Sequence, residues 1–509
     1  MGNAAKATEQ TDAACPLSWA EQRRNLVLFA CCTGLQYLAA PVLYVGITQA
    51  ALCERLGATT RVANLPATLF FAMTAVPALI AWLSPQVAAI KRNLFLCYAI
   101  AAAAQLTLAV GLAMKASPEF TIALVILQGG VSGATIPTAI ALLWEVVCRG
   151  ADESKRGWAL SLAFGAGPML AVIGSLGQAY LLRPVAENAA TDWSGFVTLF
   201  ALGGPIMLTA AFLTQGFIVP PAVQETQREP ISKVVGLLLG LPSMFGAVAL
   251  LQFQADSAES SRPWIGTIQS AGYALGITAA ICLVLHFRPI LGQRTLLIAT
   301  VVTVLIYCAN TIPSNMNLYT RLVLDASPQE YAGLQNTLRF GFKVAAGFFL
   351  GWFLTKTSPR AGMLATASLF LLAQVWAIFA VGRWYLLAFG IYGAGELIGV
   401  YAPNYIASAS RKQELRRNMA FSTMLMVPAA PAGYLFGFLV DKVKVHQWTV
   451  GTQSPEVFGF RVSFTLCAMF ILSGVVITLL CLPRHPSVSQ NAPADVEPKS
   501  REGVAGDID

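Results

Sequence analysis

The feature that most constrains this chain is a recurring apolar run of about 18 residues or more, each able to cross about 30 Å of hydrocarbon as a helix. The runs start near residue 26 and continue to residue 482. Inside a bilayer every backbone N–H and C=O must find its partner within the protein, so such a chain folds as a bundle of spanning helices. The pattern predicts fourteen spans, at 26–48, 62–84, 94–113, 120–143, 157–182, 196–218, 233–252, 264–286, 295–318, 332–355, 361–381, 384–408, 418–440 and 461–482. Composition agrees: 11% of the 509 residues are charged, against about 25% in soluble domains.

Charge sets the expected orientation. With the N-terminus inside, inner loops carry eighteen Lys and Arg, such as Arg23, Lys91, Arg149, Arg228, Arg294 and Arg411, and outer loops carry ten. This excess on one side places both termini in the cytoplasm of a multi-pass plasma (inner) membrane protein. The net charge of +8 is thus spread over alternating loops, which argues against a nucleic-acid partner. Segment 1–25 is polar and lacks the apolar core of a cleavable signal. The polar tail at 483–509 is expected to be disordered. Ten scattered cysteines with no C-x-x-C suit small helix-packing residues rather than a metal site. With no H-E-x-x-H and no Walker lysine loop, neither an enzyme nor a primary pump is expected, and no cofactor or metal.

An internal repeat divides the chain. Residues 55–72 match 324–341 at Leu56/Leu324, Ala58/Ala326, Thr68-Leu69/Thr337-Leu338 and Phe71/Phe340. Gly129, Gly133 and Pro137 share their spacing with Gly395, Gly399 and Pro403. Offsets near 265 leave residues 219–294 unmatched. The expected organisation is two parallel six-helix bundles, 26–218 and 295–482, with an inserted transmembrane hairpin at 219–294. Small residues four apart let a neighbouring backbone approach closely.

On these residues the chain resembles the major facilitator superfamily over 26–482. Gly351, Lys356 and Arg360 fit the superfamily's loop motif G-x-x-x-D-R-x-G-R-R, with Thr355 in place of the acid and Ser358 in place of the second glycine. Gln128-Gly129 fit the fourth-helix R-x-x-Q-G, with Val125 in place of arginine. Gly167-Pro168 are similar to the exporters' fifth-helix signature. Fourteen spans resemble the drug:proton antiporters and the proton-coupled peptide carriers, although the peptide carriers' E-x-x-E-R is missing from the first helix. The resemblance implies an all-α fold whose two halves rock about a midplane site, and a gating role for Gly351, Lys356 and Arg360.

Ionisable residues at bilayer depth are costly and mark functional sites. Glu396 stands in an apolar run with no other charge between Arg383 and Arg411. Lys343 has the same expected depth, with Arg339 one turn away on the same face. Glu396 then reads as a proton or substrate-cation site or as a packed carboxyl. Lys343 and Arg339 read as its structural ion-pair partners or as a substrate-anion site. Tyr307, Asn310, Asn315 and Asn317, with Gln36, Tyr37, Gln128 and Asn404, offer hydrogen bonds either to a polar solute or between helices. Glu145 and Arg149 should pair at an interface. The tryptophans, including Trp82, Trp144, Trp193, Trp264, Trp352, Trp384 and Trp448, read as interface anchors.

The expected function is a monomeric secondary transporter of a small organic solute, coupled to protons. The alternative is a transporter-shaped membrane sensor or assembly factor that moves nothing.

Overall fold

The structure is a computed structural model, described for residues 17–44, 46–151, 167–183, 193–220, 235–236, 238–244, 246–247, 265–410, 418, 421–422 and 424–486. The described residues are helical throughout, with no strand among them. The principal helices are α1 (Trp19–Leu38), α2 (Ile47–Arg55), α3 (Leu65–Ala72), α4 (Val76–Leu83), α5 (Ile90–Ala113), α6 (Pro118–Gly150), α7 (Gly167–Leu181) and α8 (Ser194–Thr214). They continue as α9 (Ile265–Leu291), α10 (Arg294–Tyr307), α11 (Pro313–Leu324), α12 (Pro328–Lys356), α13 (Pro359–Phe379), α14 (Leu387–Gly395), α15 (Ile398–Ser408), α16 (Pro431–Val445) and α17 (Pro455–Cys481).

Several helices start on a Ser-Pro pair. The hydroxyls of Ser117, Ser358 and Ser454 accept the N–H groups of Phe120, Ala361 and Val457. In each case the following proline fills a position whose N–H would be unpaired anyway. Outside the membrane, Ser18 and Glu21 close a capping box at the start of α1. Its hydrogen bonds from Ser18 hold the Glu21 carboxyl below the usual range.

Five expected spans are broken near their middles. The first stops at Ala39, makes the short helix Ala40–Leu43 and resumes as α2 after Gly46, whose φ of 141° suits a glycine. The second narrows to a 3₁₀ turn at Met73–Ala75 between α3 and α4. The 3₁₀ turn Cys308–Thr311 lies between α10 and α11, with Pro313 one residue after the turn following it. Glu396 and Leu397 form the turn between α14 and α15. The short helix Met426–Ala429 precedes Pro431 and α16. Irregular backbone at membrane depth is tolerated where it is buried in protein or lines a cavity, and Val42, Thr74 and Asn310 at these breaks are buried.

The break after α1 shows how the freed groups are satisfied. The Val42 carbonyl accepts amide N–H groups from Gln49 at 2.9 Å, Gln105 at 3.2 Å and Gln128 at 2.8 Å. Three glutamines from three helices therefore converge on one unlaced peptide.

Close approaches follow the glycines. Gly129 and Gly133 of α6 lie against the backbone of Pro66 and Phe70 in α3. On the C-terminal side, Gly393 of α14 lies against the Arg339 backbone and Gly390 against the Phe342 ring. The expected partner glycine Gly399 faces open space, and Gly395 meets the Phe370 ring instead. The turn at Glu396 resets the helical register, so close packing ends before it. Gly130, which stands where the second stretch has Glu396, backs onto Leu69 in the wall of an apolar cleft of about 390 Å³.

The helix α9 keeps most of its apolar surface outward, with Ile277, Ile281, Val284 and Leu285 all exposed. In water such a face would be an association hazard; in a bilayer it is solvated by lipid. The described residues of 235–247 run antiparallel to it: Gly236 lies on Cys282 and His286, and Gly246 on Leu275. Residues 233–234, 237, 245 and 248–252 of the expected 233–252 span, the first part of the 157–182 span, segment 1–16 and the tail from 487 lie outside the described residues.

Candidate functional site

The turn at Glu396 carries a buried charge cluster. Its peptide N–H still bonds to Tyr392 O at 3.0 Å, but the following contacts are of the tighter i→i+3 type, Leu397 N–H to Ala394 O and Gly399 N–H to Glu396 O. Such a shortened turn inside a span is a frequent sign of a functional hinge. The Glu396 carboxylate, 10% exposed, accepts from Arg339 Nη2 through Oε1 and from Lys343 Nζ at 3.4 Å through Oε2. Arg339 is 7% exposed and lies over the rings of Phe340 and Tyr392, 5.5 and 5.6 Å from their centroids. Lys343, one turn along α12, is the most accessible of the three charges.

The N-terminal helices close on this cluster. Tyr37 and Tyr44 flank the break after α1, with ring centroids 6.2 Å apart. They pack with Ala40, Ala171 and Phe340, within electrostatic range of Glu396. Beside them is a cavity of about 20 Å³ lined by Phe29, Thr33, Gln36, Tyr37, Tyr44 and Trp144 among others, room for about one water. Trp144 was expected as an interface anchor; it packs edge-on against Phe29 at 6.0 Å and lines this cavity. The helix α6 runs on to Gly150, so Trp144 falls inside the span.

The polar candidates divide. Gln36 donates to Tyr98 at 2.5 Å, and Gln128 is held by Val42, Ser132 and Gln49. Asn315 bonds to Asn64 at 2.6 Å and Ser463 at 3.1 Å, and Asn317 to Gln335 at 2.6 Å. These amides tie helices together. Tyr307 is buried, and Asn310 sits in the 3₁₀ turn with its amide 3.5 Å from Met426 Sδ. Asn404 is exposed on α15, its carbonyl accepting from Ser408, and does not join the cluster. Glu145 and Arg149 form the expected pair at 2.7 Å.

A second polar set joins N-terminal to C-terminal helices at one end of the bundle. The Asp441 carboxylate of α16 accepts the N–H groups of Thr60 and Arg61 at 3.2 and 2.8 Å. Arg321 bridges Glu54 at 2.8 Å and Glu456. Gln178 of α7 links Thr48 and Asn336. At the other end, Asn25 joins Gly150 and Ile218, and Arg360 joins the Leu482 carbonyl at 2.7 Å, contacts that stay within one set of helices.

No protein-family model matches the sequence, and no curated protein does. Solved structures do match. An auto-inhibited POT-family peptide transporter aligns over 92% of this chain and 99% of its own, at TM-score 0.64 and 14% identity. A D-xylose–proton symporter aligns over 91% and 99%, at 0.61 and 14%. The nucleoside transporter NupG aligns over 89% and 98%, at 0.55 and 10%. The chain has the major facilitator fold. It is a multi-pass membrane protein whose structural likeness is to transporters and not to enzymes.

Within the facilitator fold, the expected gating segment lies at the end of α12 and the start of α13. Arg360 there fixes the end of α17 through Leu482. Gly351 and Lys356 belong to the last turns of α12, and their side chains lie outside the described residues. Tyr44, Tyr392 and Asp441 had no sequence signal of their own. Tyrosines are ordinary in apolar spans, and an acid at a span end is ordinary in a loop.

Proposed function

We propose that this protein is a secondary transporter that moves a small organic solute by alternating access, with proton uptake and release at Glu396. The observation that carries the reading is the charged triad of Glu396, Arg339 and Lys343 at a helix break, faced by Tyr37 and Tyr44 from the other set of helices. In this reading the fourteen spans form two parallel six-helix halves, 26–218 and 295–482, with the 219–294 hairpin outside them. Both termini are cytoplasmic at the plasma membrane, and the protein works as a monomer. The polar contacts of Asp441 and Arg321 then lie on the outer side and hold that side shut, so the described conformation is closed outward.

Coupling follows from competition. While Arg339 and Lys343 hold Glu396, its charge is compensated. When the solute or the rocking of the halves takes a cation away, a buried carboxylate left alone becomes protonated. A carboxyl that changes protonation as its partners come and go is what proton coupling requires, and Arg360 and the loop around it would gate the inner side.

The test is flux in reconstituted liposomes. A transporter exchanges a labelled solute faster than empty liposomes do. A sensor or assembly factor of the same shape gives no flux above that background, and would refute this function.

A further inference from the structure

We infer that the solute is an organic anion, and that its carboxylate binds Arg339 in competition with Glu396. The inference rests on the transport reading above and names its substrate class. It starts from a charge count. Among the described residues the triad has two cations and one acid in ion-pair contact, leaving one positive charge in excess. An uncompensated charge in a buried site is costly unless a ligand supplies the missing partner.

The donors point the same way. Arg339 gives only Nη2 to Glu396. Its Nε and Nη1 are buried and have no hydrogen-bond acceptor among the described residues. The buried Tyr392 hydroxyl beside it also lacks a partner. A planar guanidinium offers paired N–H groups along two edges, Nε with Nη2 and Nη1 with Nη2, and either edge matches a carboxylate. Nη2 belongs to both edges. A ligand carboxylate that docks on either one must share or take the group now on Glu396. Lys343, the more exposed cation, is placed to meet the anion as it enters. Binding then replaces one carboxylate on Arg339 by another and frees Glu396.

Thermal unfolding of the purified protein tests this with simple probes: acetate, benzoate and nicotinate against acetamide, benzamide and nicotinamide, at constant ionic strength. At least one carboxylate should raise the midpoint by about 2–4 °C while its amide leaves it unchanged. Three variants give signed outcomes. Lys343→Gln keeps the Arg339–Glu396 pair but removes the excess charge, and should weaken the carboxylate at least about tenfold. Arg339→Lys keeps the charge but loses the fork, and should also weaken it. Glu396→Gln removes the competitor and should tighten binding about tenfold.

No shift with any carboxylate, equal shifts with the amides, or a shift that survives in both Arg339→Lys and Lys343→Gln would overturn the inference. So would an Arg339-dependent shift produced by phosphatidylglycerol in detergent and by none of the small carboxylates, which would make the site one for a lipid headgroup. The two readings fail separately. Exchange of a neutral solute would leave transport standing and remove the anion, whereas carboxylate binding without flux would do the reverse.

Discussion

In the proposed orientation, the contact between Asp441 and the start of the second span sets a measurable energy on outward closure. Asp441→Asn keeps the shape of the side chain but replaces by an NH2 group one of the two oxygens that receive Thr60 N–H at 3.2 Å and Arg61 N–H at 2.8 Å, so one of these bonds is lost. Hydrogen bonds to a charged group stabilise by about 1.5–3 kcal/mol and neutral ones by about 0.5–1.5. The side chain is partly exposed, so solvent screening selects the lower end, about 1.5 kcal/mol for the bond lost. That is about tenfold in the ratio of outward-open to outward-closed molecules. Thr68 reports on it: it is 1% exposed and packs against Gly433 of α16, so it is reached only when the two sets of helices part. With Thr68→Cys in a background lacking other reactive cysteines, an impermeant maleimide added outside should label Asp441→Asn about ten times faster than the parent. An unchanged rate would show that Asp441 does not hold the outer side closed.

Further outcomes follow from the same contacts. A triad that only held helices together would make Glu396→Gln cost about 3–5 kcal/mol of stability, read as lost folded yield that adding Arg339→Met restores, whereas a proton-carrying Glu396 predicts that Glu396→Gln still folds; Lys343→Met alone should cost least because Arg339 still holds Glu396. Gly133→Ala and Gly393→Ala would drive a methyl into the backbone of Phe70 and Arg339 and should destabilise by about 1–3 kcal/mol or more, whereas Gly399→Ala faces open space and should be neutral by thermal unfolding. Epitope tags at Ser257 and Glu229 should report outside and inside, and tags on the same side would remove the fourteen-span arrangement.

Much of this molecule can be read from its sequence because a bilayer filters so strongly. Apolar runs gave positions close to described helices such as Ile90–Ala113, Ser194–Thr214, Pro359–Phe379 and Pro455–Cys481, and a charge such as Glu396 stands out where almost none is allowed. Helical spacing and depth, with the neighbouring helices that the resemblance implies, made Arg339 and Lys343 candidate partners for it. What could not be read depends on where helices break. The turn at Glu396 shifts the following register, so Gly393 rather than Gly399 makes the close approach. The interruption between Leu38 and Ile47 brings Tyr44 beside Tyr37 and directs three glutamines to the Val42 carbonyl. Local spacing carries no sign of either. Contacts such as Asp441 on Thr60 join residues far apart in sequence and depend on how the two sets of helices are docked.

The most direct measurement uses purified protein in liposomes with an imposed acid-outside gradient and the carboxylate that gives the largest thermal shift. The parent protein should concentrate the labelled solute inside, and Glu396→Gln should lose that accumulation while still exchanging solute across the membrane. Undiminished pH-driven accumulation in Glu396→Gln, or no flux by the parent above empty liposomes, would contradict a proton-coupled transporter built around this carboxylate.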